Sequence, residues 1–156
     1  MEFNYKQPKL KDTLYGEMLW EDYDEYGEYM WFANIVDEVN GSFQVYIIAD
    51  SSLDFMAVRN THSTYKKLLA DLPNIRKKTV LELLENEEIG FNKKRQKKIA
   101  IEKIDKTLEL QSIKIYQDLS STVCFDSETL LEDSDEFIFT LIGSDGEIVE
   151  AEIGFY

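Results

Sequence analysis

The hydrophobic periodicity of this chain changes twice, and that change restricts the fold more than any other feature of the sequence. In the first third, residues 15–21, 29–36 and 43–49 follow a period of two, which is the period of half-buried strands. The dipeptide Asn40-Gly41 separates the last two runs and favours a type I′ hairpin turn. We therefore expect an antiparallel meander of three strands in the first third of the chain.

The middle third has the spacing of helices. Asn60 or Thr61 is expected to cap a first helix, and Pro73 is expected to end or kink it. A further helix is expected over residues 93–108, within a lysine-rich pattern. The apolar positions that define the first helix are Tyr65, Leu68, Leu69 and Leu72.

A second helix is expected between these two, capped by Asn74 and closing near Gly90. Its charges run against the helix macrodipole, because basic residues 76–78 lie near its start and three glutamates lie near its end. Two interpretations stay open at this point. Either this helix is continuous with the one before it, or tertiary contacts override the dipole.

The last third returns to a period of two, with strands expected over residues 112–117, 121–126, 136–142 and 147–155. Ser144-Asp145-Gly146 supplies the turn between the last two strands. The final strand alternates, which indicates an antiparallel sheet with one wet face. One side is expected to present Val149, Ala151, Ile153 and Phe155, and the other Glu150, Glu152 and Gly154.

The order strands, helices, strands predicts an α+β fold, with antiparallel β-meanders near both termini and a helical middle segment. A chain of 156 residues with 44% hydrophobic residues fits one globular domain over residues 1–156. The start of the chain is polar and no run of 18 apolar residues occurs. We therefore expect a soluble, cytoplasmic protein that does not bind membranes.

Charge is segregated along the chain, because 13 of the 17 Lys and Arg residues lie between Arg59 and Lys106. The net charge is −9 over residues 1–58, +6 over 59–106 and −11 over 107–156. The dense basic run 93–98 is either a patch for nucleic acid or an acidic partner, or a solvated helix start or counter-charge to the protein's own acidic sheet. The total of −14 favours the solvated surface, so we expect no nucleic-acid binding.

Catalytic and metal-binding patterns are weak in this sequence. His62 is the only histidine and Cys124 the only cysteine, which excludes an intramolecular disulfide and a thiolate zinc site. Cys124 lies between Val123 and Phe125, as a buried structural cysteine would. We expect no catalytic residue, no cofactor and no metal.

Residues 22–27 start like a calcium loop, with Asp22, Asp24 and Gly27 in suitable places. Ala33 stands where an EF-hand needs a bidentate glutamate, so the pattern fails at its most important ligand. A weak cation site at Asp22, Asp24 and Glu25 stays an alternative to a solvated hairpin loop.

A group of acids and tyrosines between the first two strands is typical of a recognition surface for a basic protein. Aromatic rings fill partner pockets at small entropic cost, while acids steer a basic partner. An alternative is a small enzyme or ligand-binding domain that uses carboxylates in a cleft, such as Glu17 with Glu150 or Glu152. The predicted partner-binding residues are Glu21, Asp22, Tyr23, Asp24, Glu25 and Tyr26.

Four segments follow one another along the chain: Leu-Tyr-Gly-Glu-Met-Leu-Trp at residues 14–20, the helical segment 65–84, Ser-Ile-Lys-Ile at 112–115 and the closing segment 145–154. This order of segments resembles a group of small acidic bacterial domains of unknown function. Some members of such groups are encoded beside polymorphic toxins and resemble immunity proteins. The resemblance implies a non-catalytic protein that binds a toxin or effector domain, and it transfers no catalytic residue to this chain.

Overall fold

The computed structural model describes residues 7–23, 28–86, 104–128, 130–131 and 135–155. Within these ranges, eight strands form one sheet, and two α-helices lie between the fourth strand and the fifth. The strands are β1 (Lys9–Asp12), β2 (Gly16–Tyr23), β3 (Glu28–Asp37), β4 (Gly41–Ile48), β5 (Glu109–Ile115), β6 (Ser121–Asp126), β7 (Phe137–Ile142) and β8 (Ile148–Gly154). The helices are α1 (Phe55–Asn60) and α2 (His62–Glu85), and a short 3₁₀ helix spans Asp105–Thr107.

The sheet follows the order of the chain from β1 to β8. Neighbouring strands are antiparallel except β4 and β5, which are parallel with Val45 opposite Ile113. A parallel pair needs a long crossover, and the helices lie in that connection. The α+β class is therefore confirmed at the level of a large sheet with a helical middle. The meanders are confirmed only in part, because the central parallel pair joins them into one mixed sheet.

The first meander has four strands, where the sequence predicted three. The added strand, β1, pairs Leu10 with Met18 of β2 and forms an edge of the sheet. It is short and carries Lys9, Lys11 and Asp12, so hydrophobic alternation gave no signal for it. Short, charged edge strands of this kind hinder pairing with other chains.

The turn at Asn40-Gly41 differs from the predicted type I′ hairpin. Asp37 pairs with Gly41, so the loop contains the three residues 38–40, and none of them has a positive φ. Gly41, the first residue of β4, has a φ of 75°. The Asp37 carboxylate accepts hydrogen bonds from the Val39 backbone (2.9 Å) and the Asn40 side chain (2.7 Å). These bonds hold Asn40 at ordinary φ, so glycine alone supplies the left-handed conformation that closes the turn.

Helix α2 is continuous through Pro73, so this proline does not end the helical segment, and Asn74 does not start a second helix. The basic residues 76–78 therefore lie in the middle of a 24-residue helix and not at a start, which removes the first half of the conflict with the macrodipole. The second half remains, because the last turn contains Glu82 and Glu85 and no basic residue. Thr61 is the N-cap residue, as predicted, but its hydroxyl donates to the Val58 carbonyl (2.6 Å) instead of capping α2. Most of the predicted helix 93–108 lies outside the described residues, and its last turn is the 3₁₀ helix.

The core lies between the helices and one face of the sheet. Thr79 of α2 meets Thr140 of β7 at 2.7 Å between hydroxyl oxygens, and neither residue has measurable solvent exposure. Arg76 donates to the Leu108 carbonyl (3.0 Å), its guanidinium lies 5.7 Å from the Phe125 ring, and burial lowers its pKa. The largest fully buried sheet residues are Met18, Trp31, Val45, Ile47, Ile113, Ile115, Phe125 and Ile138.

Strand β8 departs from the predicted alternation because it contains an irregularity. Leu141 pairs with Glu150 but Ile142 pairs with Ile148, so Val149 is an extra residue and is 69% exposed. Ala151 is buried as predicted. Phe155 lies beyond the strand and is 74% exposed, and the prediction that both apolar ends of the strand share the buried face is wrong.

Candidate functional site

The sheet face opposite α1 and α2 contains a concave groove of about 490 Å³. The pairing of Tyr46 with Lys114, and of Lys114 with Thr122, places alternate residues of β4, β5 and β6 on this face. The groove spans β3 to β7. Its lining residues are Glu28, Met30, Tyr46, Ser112, Lys114, Tyr116, Thr122, Cys124, Phe139 and Phe155.

An ion pair lies at one side of the groove. The Lys114 ammonium donates to both carboxylate oxygens of Glu28, at 3.0 and 2.9 Å. The Lys114 side chain is 23% exposed and that of Glu28 is 40% exposed, so the carboxylate is the more accessible partner. The ammonium also lies 5.5 Å from the centre of the Tyr116 ring. Within the described chain, Glu28 is the one carboxylate that lines the groove.

The floor of the groove is apolar and buried, although no described helix packs over it. Met30, Ser112 and Cys124 are at most 4% exposed there, because larger side chains on neighbouring strands shield them. Burial raises the pKa of the Cys124 thiol to about 12, so the thiolate is disfavoured. This confirms Cys124 as a buried residue without the features of a nucleophile.

Aromatic rings form the walls of the groove. The Tyr46 ring stacks on Phe32 with 6.4 Å between centroids, and its hydroxyl donates to Gln44. The Tyr116 hydroxyl lies 3.5 Å from the Thr122 hydroxyl. These aromatic walls were not predicted from the sequence, because the aromatic residues occupy the alternate strand positions that were expected to face water. The available signal was tyrosine and phenylalanine at positions where a wet face would carry charged residues.

The described residues on either side of the predicted partner-binding loop lie next to this groove. Glu21, Asp22 and Tyr23 belong to β2, which extends further than expected, and Glu21 pairs with the groove residue Met30. Asp24, Glu25 and Tyr26 lie outside the described residues, as does the basic run 93–98. Glu28 lines the groove at the start of β3. The described flanks of the predicted loop therefore reach the groove from one end of the sheet.

The same end of the sheet gathers further acids. Strand directions place the connections 49–54, 116–120 and 143–147 at the end of the sheet where β2 ends and β3 begins. These three connections contain five acidic residues and no Lys or Arg. The Asp118 carboxylate accepts from the side chain and backbone of Ser120, which lowers its pKa. We call this region the acidic end; its described acids are Asp50, Asp54, Asp118, Asp145 and Glu147.

His62 lies in the first turn of α2, as predicted, and has a partner that the sequence did not reveal. Its Nε2 atom lies 2.9 Å from both carboxylate oxygens of Asp12. The same carboxylate accepts from the backbone of Leu14 (2.9 Å) and Tyr15 (2.8 Å). The Tyr15 hydroxyl in turn meets Thr61 at 2.7 Å. This network connects the β1–β2 turn to the start of α2. Its hydrogen bonds are those expected of a structural contact between the two.

The carboxylates suggested for a cleft do not converge. Glu17 lies on β2 and both Glu150 and Glu152 lie on β8, which are roughly 29 Å apart on an unbent sheet at about 4.8 Å per strand. All three are exposed, as expected for a wet face. A different cleft of about 440 Å³, between α2 and the β7–β8 turn, contains Asp71 and Asp145.

Metal-binding clusters and membrane-spanning helices are absent from the described residues. Among the residues that the structure describes, no group of three or more His, Cys, Asp or Glu residues is placed to hold a metal ion. The suggested cation site at residues 22–25 is only partly within those ranges. None of the described helices is both long and apolar enough to cross a membrane. Protein-family models, curated proteins and solved structures provide no match to this chain.

Proposed function

We propose that this chain is a non-catalytic, cytoplasmic interaction protein that binds a basic protein partner through its acidic end and the adjoining groove. The observation that carries the proposal is the strand order. It brings the end of β2, which contains Glu21, Asp22 and Tyr23, to the same end of the sheet as three acidic connections, next to a groove walled by Tyr46 and Tyr116. In line with the resemblance to immunity proteins, a toxin or effector domain is the partner we favour.

Two further features support binding over catalysis. The groove has one carboxylate among the described residues, Glu28, and that carboxylate is already paired with Lys114. General acid–base catalysis by carboxylates needs two groups in different environments, and the described lining of the groove does not provide them. Acids at the rim would steer a basic partner, while aromatic rings in the groove would slow its release. The same negative field disfavours nucleic acid at physiological salt.

The proposal is tested by recovering the partner from the native host and measuring association and dissociation rates. Neutralising Asp22, Asp24 and Glu25 together is expected to slow association by about tenfold and to flatten its salt dependence. The Tyr26→Ala variant is expected to speed dissociation with little effect on association. Charge acts at long range before contact, whereas a ring contributes only after docking.

A matched control removes the same charge elsewhere. Glu38, Glu109 and Glu128 are exposed and lie toward the other end of the sheet, so their triple change to glutamine should leave the on-rate within about twofold. If both triple variants slow association equally, net charge alone matters and the acidic end is not the binding site. Unchanged rates for every loop variant would place the interface elsewhere.

A second candidate function is ligand binding or small-molecule catalysis in the cleft beside α2. It is favoured by Ser121, which lines the cleft and whose buried hydroxyl has no hydrogen-bond partner within the described chain. Lys67 and Asp71 on α2 would supply opposite charges to a polar ligand there. Thermal-shift screening with polar metabolites should then give a stabilisation that Asp71→Asn removes, and a screen without such a hit would discard this candidate.

A further inference from the structure

The groove presents a cation-binding site that is closed by the protein's own lysine. Lys114 donates to both oxygens of Glu28 and lies over the Tyr116 ring, so one side chain makes an ion pair and a cation–π contact together. Both contacts are those that an external cation would make in the same place. The Glu28 carboxylate in this pair is 40% exposed, so a cation from solvent can reach it. A partner cation can therefore compete for Glu28.

We propose that an arginine of the basic protein partner displaces Lys114, binds Glu28 and stacks in the aromatic groove. This inference rests on the proposed function, because it names the side chain that the partner inserts. Charge complementarity selects a cation, since the acidic end adjoins the groove and Lys114 is the only described basic residue that lines it. A second copy of this chain is disfavoured as the occupant by its own charge of −14.

The shape of the site favours a guanidinium over an ammonium. A guanidinium offers two parallel N–H groups to the two oxygens of Glu28, whereas an ammonium acts as a point charge. It is also planar and weakly hydrated, so it stacks on tyrosine and phenylalanine in a groove whose floor is buried. Tyr46, Tyr116 and Phe139 supply such surfaces within about 490 Å³, which is enough for an arginine side chain and part of its neighbours.

Because Lys114 occupies the proposed site, its removal should increase the affinity for a guanidinium. Replacing Lys114 with methionine keeps an apolar stem but frees Glu28, so guanidinium binding should tighten by about fivefold. Replacing it with arginine supplies a bidentate internal competitor, and this variant should bind no better than the wild type. The Glu28→Gln variant removes the acceptor charge and should weaken binding by about tenfold. If the ion pair only stabilised the fold, substitutions of Lys114 and of Glu28 would change the affinity for a guanidinium in the same direction.

The experiment is a titration of the full chain with N-acetyl-arginine amide, followed by two-dimensional NMR. The same titration with N-acetyl-lysine amide measures the preference for guanidinium, which we expect to be at least threefold. Amide dispersion in each spectrum shows whether a variant is folded. The matched controls are Lys106→Met and Glu38→Gln, which change the same charges at exposed sites outside the groove and should leave affinity unchanged.

The proposal is overturned if Lys114→Met fails to tighten binding, or if Lys106→Met tightens it equally. Equal affinity for the two probes would exclude arginine selectivity. Concentration-dependent dimerisation lost in Glu28→Gln would assign the groove to a second copy. These outcomes are separable from the proposed function, because partner capture and the kinetic effects of the loop variants can persist when the probe titration fails.

Discussion

The contact between α2 and the sheet depends on two buried threonines whose hydrogen bonds have a definite direction. Thr79 donates to the Ile75 carbonyl at 2.7 Å, which uses its only hydroxyl proton. Thr140 must therefore donate to the Thr79 oxygen, 2.7 Å away. Both side chains are fully buried. The two substitutions to valine should consequently differ in cost, although they remove the same atom type.

Thr79→Val leaves the Thr140 hydroxyl buried without an acceptor, which costs about 2 kcal/mol of unfolding free energy. Thr140→Val leaves Thr79 bonded to Ile75, so only one net hydrogen bond is lost, or about 1 kcal/mol. The double variant has no orphaned group and should lose about 1 kcal/mol in total. The coupling between the two sites is therefore about 2 kcal/mol.

The assay is urea unfolding followed by tryptophan fluorescence, with the midpoint and slope fitted for all four proteins. At a slope of about 2 kcal/mol per molar, Thr79→Val should lower the midpoint by about 1 M. The exposed residue Ser63, also on α2, provides a control, and Ser63→Ala should change stability by less than about 0.5 kcal/mol. Strictly additive losses, or a larger loss for Thr140→Val, would refute the assigned direction.

Two other outcomes follow from the fold. Pro73→Ala should stabilise the protein by about 1–3 kcal/mol in the same assay, because α2 is continuous and alanine restores the hydrogen bond from residue 73 to the Leu69 carbonyl. An unchanged midpoint would show that the absence of this hydrogen bond does not cost stability. The free energy of unfolding should fall as pH rises above about 9. Burial raises the folded-state pKa of Cys124 and Tyr65 to about 12 and that of Tyr15 further, so the unfolded chain releases these protons at lower pH than the folded chain does. Unfolding between pH 8 and pH 11 measures this loss, and the Cys124 thiol should resist iodoacetamide at pH 8 until the chain unfolds; flat stability over that range or rapid labelling of the folded protein would contradict it.

Local patterns in the sequence were sufficient for most of the secondary structure. Strand β6 was predicted with its observed bounds, and the alternation of Phe43, Val45 and Ile47 matches their burial. Successive side chains of a strand point to opposite faces of the sheet, so buried and exposed residues alternate and the sequence shows a period of two. Strand β1 escaped because a short polar edge strand is fixed by its partner β2 and not by its own apolar residues.

The candidate site was only half visible in the sequence. The loop 21–26 could be chosen for its acids and tyrosines, but Glu28 and Lys114 are 86 residues apart and nothing local links them. Their contact depends on the parallel pairing of β4 with β5, which is a property of the crossover connection. The resemblance to immunity-like domains provided a kind of function and no site residue.

The amino-acid sequence by itself determined the strand–helix–strand order, the segregated charge and the burial of Cys124, because each depends on composition or on neighbours within a few residues. Tertiary structure alone decided that α2 continues through Pro73, that Asp12 holds His62, and that both meanders share one sheet. These features depend on packing between distant segments, whose free energy exceeds local preferences of a few kcal/mol at most. The groove with its lysine-closed carboxylate belongs to this second class.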